Sequence, residues 1–213
     1  MVHKKLSKKG IPISVIKRLP IYYRYLGKIA ASGIEKISSK QLAEKLGVTA
    51  SQIRHDLNYF GSFGERGYGY HVKDLKKVIG EILGTNNKMN MVLVGAGNLG
   101  NAIANYPNFI KRGFIIKAVF DSDPDKTGKK LAGCRIGDIS YLEEYLEDNS
   151  IDIGILAIPA EEALYIARIF EKSNVKGLWN FAPVSLNLES TLVENVHISE
   201  SLMTLAYQIK EFE

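Results

Sequence analysis

Apolar residues between Ser14 and Ser32 recur at three- and four-residue spacings: Val15, Ile16, Leu19, Tyr22, Tyr23, Leu26, Ile29 and Ala30. That spacing marks a helix with one core-facing stripe. Pro20 interrupts it. Because its ring removes an N–H and restricts the preceding residue, the pattern predicts a helix that begins near Leu19 after a short turn. Ser38-Ser39-Lys40-Gln41 then has the form of a capping box, opening a helix through Leu46 that Gly47 stops. Thr49-Ala50-Ser51-Gln52 repeats the box and opens a second helix, with Ile53, Leu57 and Phe60 on its buried side. Two capped helices joined by a glycine-containing turn make a helix-turn-helix.

Glycines alternate with aromatics from Gly61 to Tyr70, which predicts a short hairpin, a wing, with Phe63, Tyr68 and Tyr70 in the core. A further helix spans Val72 to Leu83. The pattern changes at Met89, where Met89–Val94 forms a buried type of strand. Phe114–Phe120, Ile151–Ile158 and Lys176–Asn180 are further strands; Ser140–Glu147 and Glu161–Lys172 are helices between them. Strands alternating with helices predict a parallel, doubly wound sheet of Rossmann type. Leu202, Leu205, Ala206, Ile209 and Phe212 stripe a last helix over Ser199–Phe212, too short to be stable without a partner surface. Its own domain or a sister subunit can supply that surface. The fold class is therefore α/β: a winged helix-turn-helix domain (1–84), a linker (85–88), a Rossmann domain (89–198) and a C-terminal helix (199–213).

Charge divides at the same place. Residues 1–88 carry 17 Lys and Arg against 6 Asp and Glu, a net +11, whereas the remaining residues carry 11 against 17, a net −6. A polyanionic partner belongs to the first part. One cysteine, Cys134, allows no disulfide within the chain, and a structural or incidental role is read for it. No apolar run reaches the roughly 18 residues that span a bilayer, and no targeting pattern is present, so a cytoplasmic protein without a membrane partner is expected.

Ser51, Gln52, Arg54, His55, Asn58 and Tyr59 occupy the outward side of the second helix of the pair. Hydrogen-bonding side chains on such a face suit a reader of the major groove of double-stranded DNA, and Arg66 in the wing suits the adjacent minor groove or phosphates. In the second domain Gly95-Ala96-Gly97-Asn98-Leu99-Gly100 lies between a strand and a helix. In that context the glycines permit backbone approach to a pyrophosphate. Asp121 closes the next strand, where an acid accepts from the adenosine ribose hydroxyls; with no arginine beside it, it favours NAD+ and NADH over the 2′-phosphorylated forms. The ends of the later strands put Pro159-Ala160 and Asn180-Phe181-Ala182-Pro183 beside the cofactor's far half, and Tyr106, Phe181 and Ala182 are candidates at the nicotinamide.

Three stretches taken together resemble the Rex family of redox-sensing repressors: Arg18-Leu19-Pro20-Ile21-Tyr22-Tyr23-Arg24-Tyr25-Leu26; Gln52-Ile53-Arg54-His55-Asp56-Leu57 with Phe60-Gly61-Ser62-Phe63-Gly64 and Gly67-Tyr68-Gly69-Tyr70; and Gly95 to Gly100. The resemblance implies a homodimer on a pseudo-palindromic operator, bound when NAD+ prevails and released when NADH accumulates. It also implies a last helix that packs across the dimer. The chain departs from the family pattern at His55, where lysine is usual, and at His197, where an acid is expected. An oxidoreductase is the rival reading. The four histidines, His3, His55, His71 and His197, form no evident acid–base pair at the nicotinamide end, so a sensor rather than an enzyme is expected.

Overall fold

The first helix, α1 (Ile13–Ala31), begins six residues before the expected start and carries Pro20 inside it. Val15, Leu19, Tyr22, Leu26 and Ile29 stay buried along one stripe, and Pro20 lies on the exposed side. Burying Ile11 and Val15 is worth about 1.5–3 kcal/mol each, which offsets the roughly 3 kcal/mol that an interior proline costs. In this computed structural model residues 10–61 and 69–212 are described, and the chain divides into two units, Met1–Asn86 and Asn87–Glu213.

Strand β1 (Lys36–Ile37) precedes α2 (Ser39–Leu46). Both halves of the first capping box form: the Gln41 N–H donates to Ser38 Oγ at 3.1 Å, and the Ser38 N–H to Gln41 Oε1 at 2.9 Å. Gly47 ends α2 in the left-handed region, φ 66°. α3 (Ala50–Asn58) has only half of the second box. Thr49 Oγ1 accepts from the Gln52 N–H, but the Gln52 side chain turns to Asp56 rather than back to the cap. Phe60 packs on the same core from beyond the end of α3 instead of within it. Most of the expected wing, Ser62–Tyr68 with Arg66, lies outside the described residues. Its far side, β2 (Tyr70–His71), pairs antiparallel with β1 and leads into α4 (Val72–Ile82), which packs along α1.

The second unit begins with β3 (Met89–Val94), α5 (Asn98–Ala104), the one-turn α6 (Asn108–Lys111) and β4 (Phe114–Asp121). There follow β5 (Lys130–Leu131), β6 (Cys134–Asp138), a single 3-10 turn with α7 (Leu142–Asp148), β7 (Ile153–Leu156), α8 (Ala160–Lys172), β8 (Gly177–Asn180), β9 (Leu192–Asn195) and α9 (Ile198–Glu211). The sheet order is β5-β6-β4-β3-β7-β8-β9, parallel except for the β5–β6 pair. The chain winds outward from β3 through β4 and β6, then returns to β7 on the other side. That reversal is the switch point at which such sheets bind ligands.

Separate apolar clusters cover the two faces, one around Leu142, Phe170 and Leu178 and the other around Met91, Leu93 and Ile155. The β7 strand is shorter than the predicted Ile151–Ile158. Neither β6 nor β9 was evident in the sequence, since Cys134-Arg135-Ile136-Gly137-Asp138 and Leu192-Val193-Glu194-Asn195 are short and largely polar, and only pairing with neighbours makes them strands.

Candidate DNA-reading helix and nucleotide pocket

At 3.6 residues per turn, Ser51, Arg54, His55, Asn58 and Tyr59 fall on one arc of α3, and all five are exposed. Gln52 stands at the margin of that arc and is half-buried. The His55 and Tyr59 rings meet edge to face at 5.2 Å, and Arg54 Nη1 donates to Ser39 Oγ on α2 at 3.0 Å. The opposite side of α3 holds Ile53, Asp56 and Leu57, all buried.

Asp56 went unnoticed in the sequence, where its position between Ile53 and Leu57 passes for an ordinary polar residue. It is 0% exposed. Arg18 grips it through Nε at 2.6 Å and Nη2 at 2.7 Å, Tyr22 donates its hydroxyl at 2.7 Å, and Gln52 Nε2 donates at 2.8 Å. Burial pushes the Asp56 carboxyl up, but the hydrogen bonds from Arg18, Tyr22 and Gln52 outweigh it and hold the group below the usual carboxylate range. Burial and the same carboxylate raise the Tyr22 phenol, so it remains a donor. The network ties α3 to α1 and sets the angle at which the exposed arc is presented.

In the second unit a pocket of about 250 Å³ opens at the switch point. Val94, Gly95, Gly97, Asp121, Ser122, Asp123, Lys126 and Pro159 are among its lining residues. The glycines there have different reasons to be glycine. A Cβ at Gly95, whose φ is +99°, would collide with the Ala157 carbonyl, and one at Gly100 with the Gly95 carbonyl. Those two let strand, turn and helix pack together. A Cβ at Gly97 meets nothing within 4 Å, and the backbone there is extended. The protein does not need a glycine at 97, whereas a phosphate lying against the turn does. Ala96, Asn98 and Leu99 complete the turn and the start of α5.

Asp121 is 5% exposed. It accepts from the Ala96 N–H at 2.6 Å and from the Asp123 N–H at 2.8 Å, so the acid also braces the glycine turn. Lys126 Nζ reaches both of its oxygens at 3.3 Å and Asp123 at 3.4 Å. Burial raises the Asp121 carboxyl, and the two N–H groups with Lys126 outweigh that and lower it. The sequence shows no arginine beside Asp121, and the structure adds a lysine there. Lys126 comes five residues later on a turn shaped by Asp121 and Asp123, too far along the chain for adjacency to reveal. Two carboxylates against one ammonium still leave this corner of the pocket net negative.

Tyr106 and Phe181 do not line this pocket. They stand at the two ends of an aromatic series: Tyr106 is 4.9 Å from Phe109, Phe109 5.7 Å from Trp179, and Trp179 4.6 Å from Phe181, between ring centroids. Phe109 and Trp179 were missed in the sequence because the series crosses from α6 to β8. Ala182 is buried and its N–H donates to Asn180 Oδ1, while the Asn180 amide donates to Val184 and Asn195, stapling β8 to the loop and β9. Burial pushes the Cys134 thiol up, and it rests against the carbonyls of Ile116 and Lys117.

Residues 10–58 match a family model described as "Putative DNA-binding protein N-terminus", and residues 86–184 one described as "CoA binding domain". A redox-sensing transcriptional repressor Rex from Clostridium botulinum is 51% identical over 208 residues, covering 97% of this chain and 99% of its own. This chain belongs to the Rex family. A Rex from Clostridium acetobutylicum is 50% identical over 206 residues, 96% of both chains. Among solved structures, the Rex-family repressor RSP in complex with β-NAD+ and operator DNA superposes with a TM-score of 0.90 at 45% identity, over 94% of this chain and 93% of that one. RSP in complex with β-NADH gives 0.88 at 43% identity, over 94% and 95%. The Rex chain thus has the expected architecture, a DNA-binding domain ahead of a Rossmann-like sheet, and its relatives are transcriptional regulators. Among the described residues no helix is long and apolar enough to cross a membrane.

Proposed function

We propose that the chain is a cytoplasmic repressor that holds a pseudo-palindromic operator as a homodimer when NAD+ prevails and releases it when NADH takes its place. The observation that carries the reading is Gly97, open where a ligand and not the protein demands a glycine, beside an acid that braces the same turn. RSP, alike over nearly the whole chain, takes NAD+ with operator DNA and takes NADH. Gly95 to Gly100 then face the pyrophosphate and Asp121 the ribose. Pro159, in the same pocket, lies toward the cofactor's far half, with Phe181 and Tyr106 at the nicotinamide. Ser51, Gln52, Arg54, His55, Asn58 and Tyr59 face the major groove, and Arg66 a flanking groove or phosphate. The cofactor supplies a one-charge difference between its ring states; the protein reads that difference and converts it to domain geometry.

Support for a second copy comes from α9, on which no residue is buried: Ile198, Leu202, Leu205 and Ile209 are each at least half exposed. An apolar face of that kind is covered in solution. Half-sites one helical turn apart on DNA call for two recognition helices.

Linkage supplies the test. If NADH weakens operator affinity ~100-fold, the coupling is about 2.7 kcal/mol, and operator must weaken NADH binding by the same factor. Titrating NADH into the full chain with and without operator reads this directly, and equal affinities overturn the mechanism. Arg54→Ala is expected to abolish operator binding with NADH affinity intact. Sustained turnover of NADH with a small carbonyl compound would instead make the chain an enzyme.

A further inference from the structure

Among the candidate reading residues on α3, Gln52 is the one whose side chain is hydrogen-bonded to a buried carboxylate. Its side chain lies about 20° around the helix from that of Tyr59, on the border between the exposed arc and the buried side. Asp56 follows it by four residues, directly below on the same face, and Gln52 Nε2 donates to Asp56 Oδ1 at 2.8 Å.

The polarity of that contact is dictated by chemistry. Asp56 is fully enclosed and grips the Arg18 guanidinium with both oxygens, so it is an ionised carboxylate and only accepts. The amide end that meets it must be the nitrogen. Its carbonyl, Oε1, is thereby the end of the amide not engaged by Asp56. A glutamine free to rotate its amide presents either a donor or an acceptor to a base. One anchored through its nitrogen has spent one of its two N–H groups and keeps that nitrogen against the buried carboxylate, which leaves the carbonyl as the end free for a base.

We infer that Asp56 sets the base preference of Gln52: held through Nε2, the side chain accepts from an exocyclic amino group in the major groove, selecting adenine or cytosine over guanine or thymine. The amino groups, N6 of adenine and N4 of cytosine, are the donors that the major groove offers, while guanine O6 and thymine O4 are acceptors that Oε1 repels. Asp56 is a positioning residue in this scheme and does not touch DNA. The inference rests on α3 being the reading helix.

The experiment uses the full chain and an operator duplex selected from random sequence, with each base pair of the half-site then replaced in turn. Gln52→Ala is expected to flatten the preference at one pair, and at that pair the wild type is expected to favour adenine or cytosine about tenfold. Deleting only the amino group, with purine in place of adenine or 2-pyrimidinone in place of cytosine, should cost the wild type a similar factor and Gln52→Ala less than twofold. Asp56→Asn is expected to let the amide turn, reducing the ratio of amino to keto bases to about twofold while other positions keep theirs. Should Asp56→Asn fail to fold, amino-group deletion on the wild type decides alone. A guanine or thymine preference at that pair, or an undiminished preference everywhere in Gln52→Ala, overturns the inference with the DNA reading intact. Failure of the wild type to select any duplex overturns the DNA reading itself, and this inference with it.

Discussion

Asp56 and Asp121 are both buried aspartates held below the usual carboxylate range, yet one is sealed by side chains and the other borders a pocket. Around Asp56 every donor is a side chain held by packing: Arg18 and Tyr22 from α1, Gln52 from its own helix. Around Asp121 two donors are backbone N–H groups, and the third is the long side chain of Lys126, itself partly exposed. A carboxylate saturated by fixed groups has no capacity for a ligand and serves to hold elements together. One whose outer partner is a flexible lysine beside open volume can exchange that partner for a hydroxyl. Burial and a lowered pKa are common to both, so neither marks a ligand site alone; what distinguishes them is which partner can leave.

The largest expected effect tests the sealed member. Asp56→Ala strands the Arg18 guanidinium, and breaking a buried pair costs roughly 3–5 kcal/mol. Urea unfolding followed by a probe in the N-terminal unit should show this, with NADH binding retained by the second unit. A loss below about 1 kcal/mol would put Asp56 in the same class as a surface pair and collapse the distinction. Because the native group titrates below its unfolded value of about 3.9, its contribution is complete above that pH and is lost as pH falls through the native value. The acid limb of the unfolding curve should therefore shrink in Asp56→Ala.

At the open member, Asp121→Ala removes the charged acceptor proposed for the ribose. Hydrogen bonds to a charged group are worth about 1.5–3 kcal/mol, so NADH affinity is expected to fall roughly 10- to 100-fold, with a loss of stability of about 1–3 kcal/mol from the N–H groups left unpaired. Quenching of Trp179, the single tryptophan, offers a direct readout alongside calorimetry. An unchanged affinity would move the ribose elsewhere.

Gly97→Ala sharpens the comparison on the steric side. Its Cβ meets no protein atom, so the variant should melt within about 1 kcal/mol of the wild type, the usual scale of a helix-start glycine change, while binding NADH at least tenfold more weakly. Equal NADH binding would show that nothing approaches the turn there. The smallest effect is expected from Lys126→Ala. An ion pair so exposed contributes about 0–1 kcal/mol, so NADH affinity should move less than fivefold, while discrimination against NADPH rises because Asp121 and Asp123 lose their counter-ion. A large fall in NADH affinity would make Lys126 a ligand-holding group and not an exchangeable partner.

Features carried by neighbours within about four residues were readable from the chain alone. Both α2 and α3, the Ser38–Gln41 box, the left-handed Gly47 and the strand–turn–helix at Gly95 are set by short-range hydrogen bonds and by periodicity. Asp121 could be named because its place at a strand end follows from the same local pattern. Pro20 misled for an instructive reason: propensity placed the start of α1 at the proline, and burial of Val15 and Ile11 carried the helix back past it.

What required the tertiary structure joins distant positions. Asp56 meets Arg18 across 38 residues, and Phe109 meets Trp179 from another element. The short strands β6 and β9 exist through pairing with their neighbours. The two units, the capped helix pair and the glycine turn follow from the order of residues. Which carboxylate braces α3 and which borders the pocket follows from packing, because burial and the freedom of a partner to leave are properties of assembled neighbours and of no single stretch of chain.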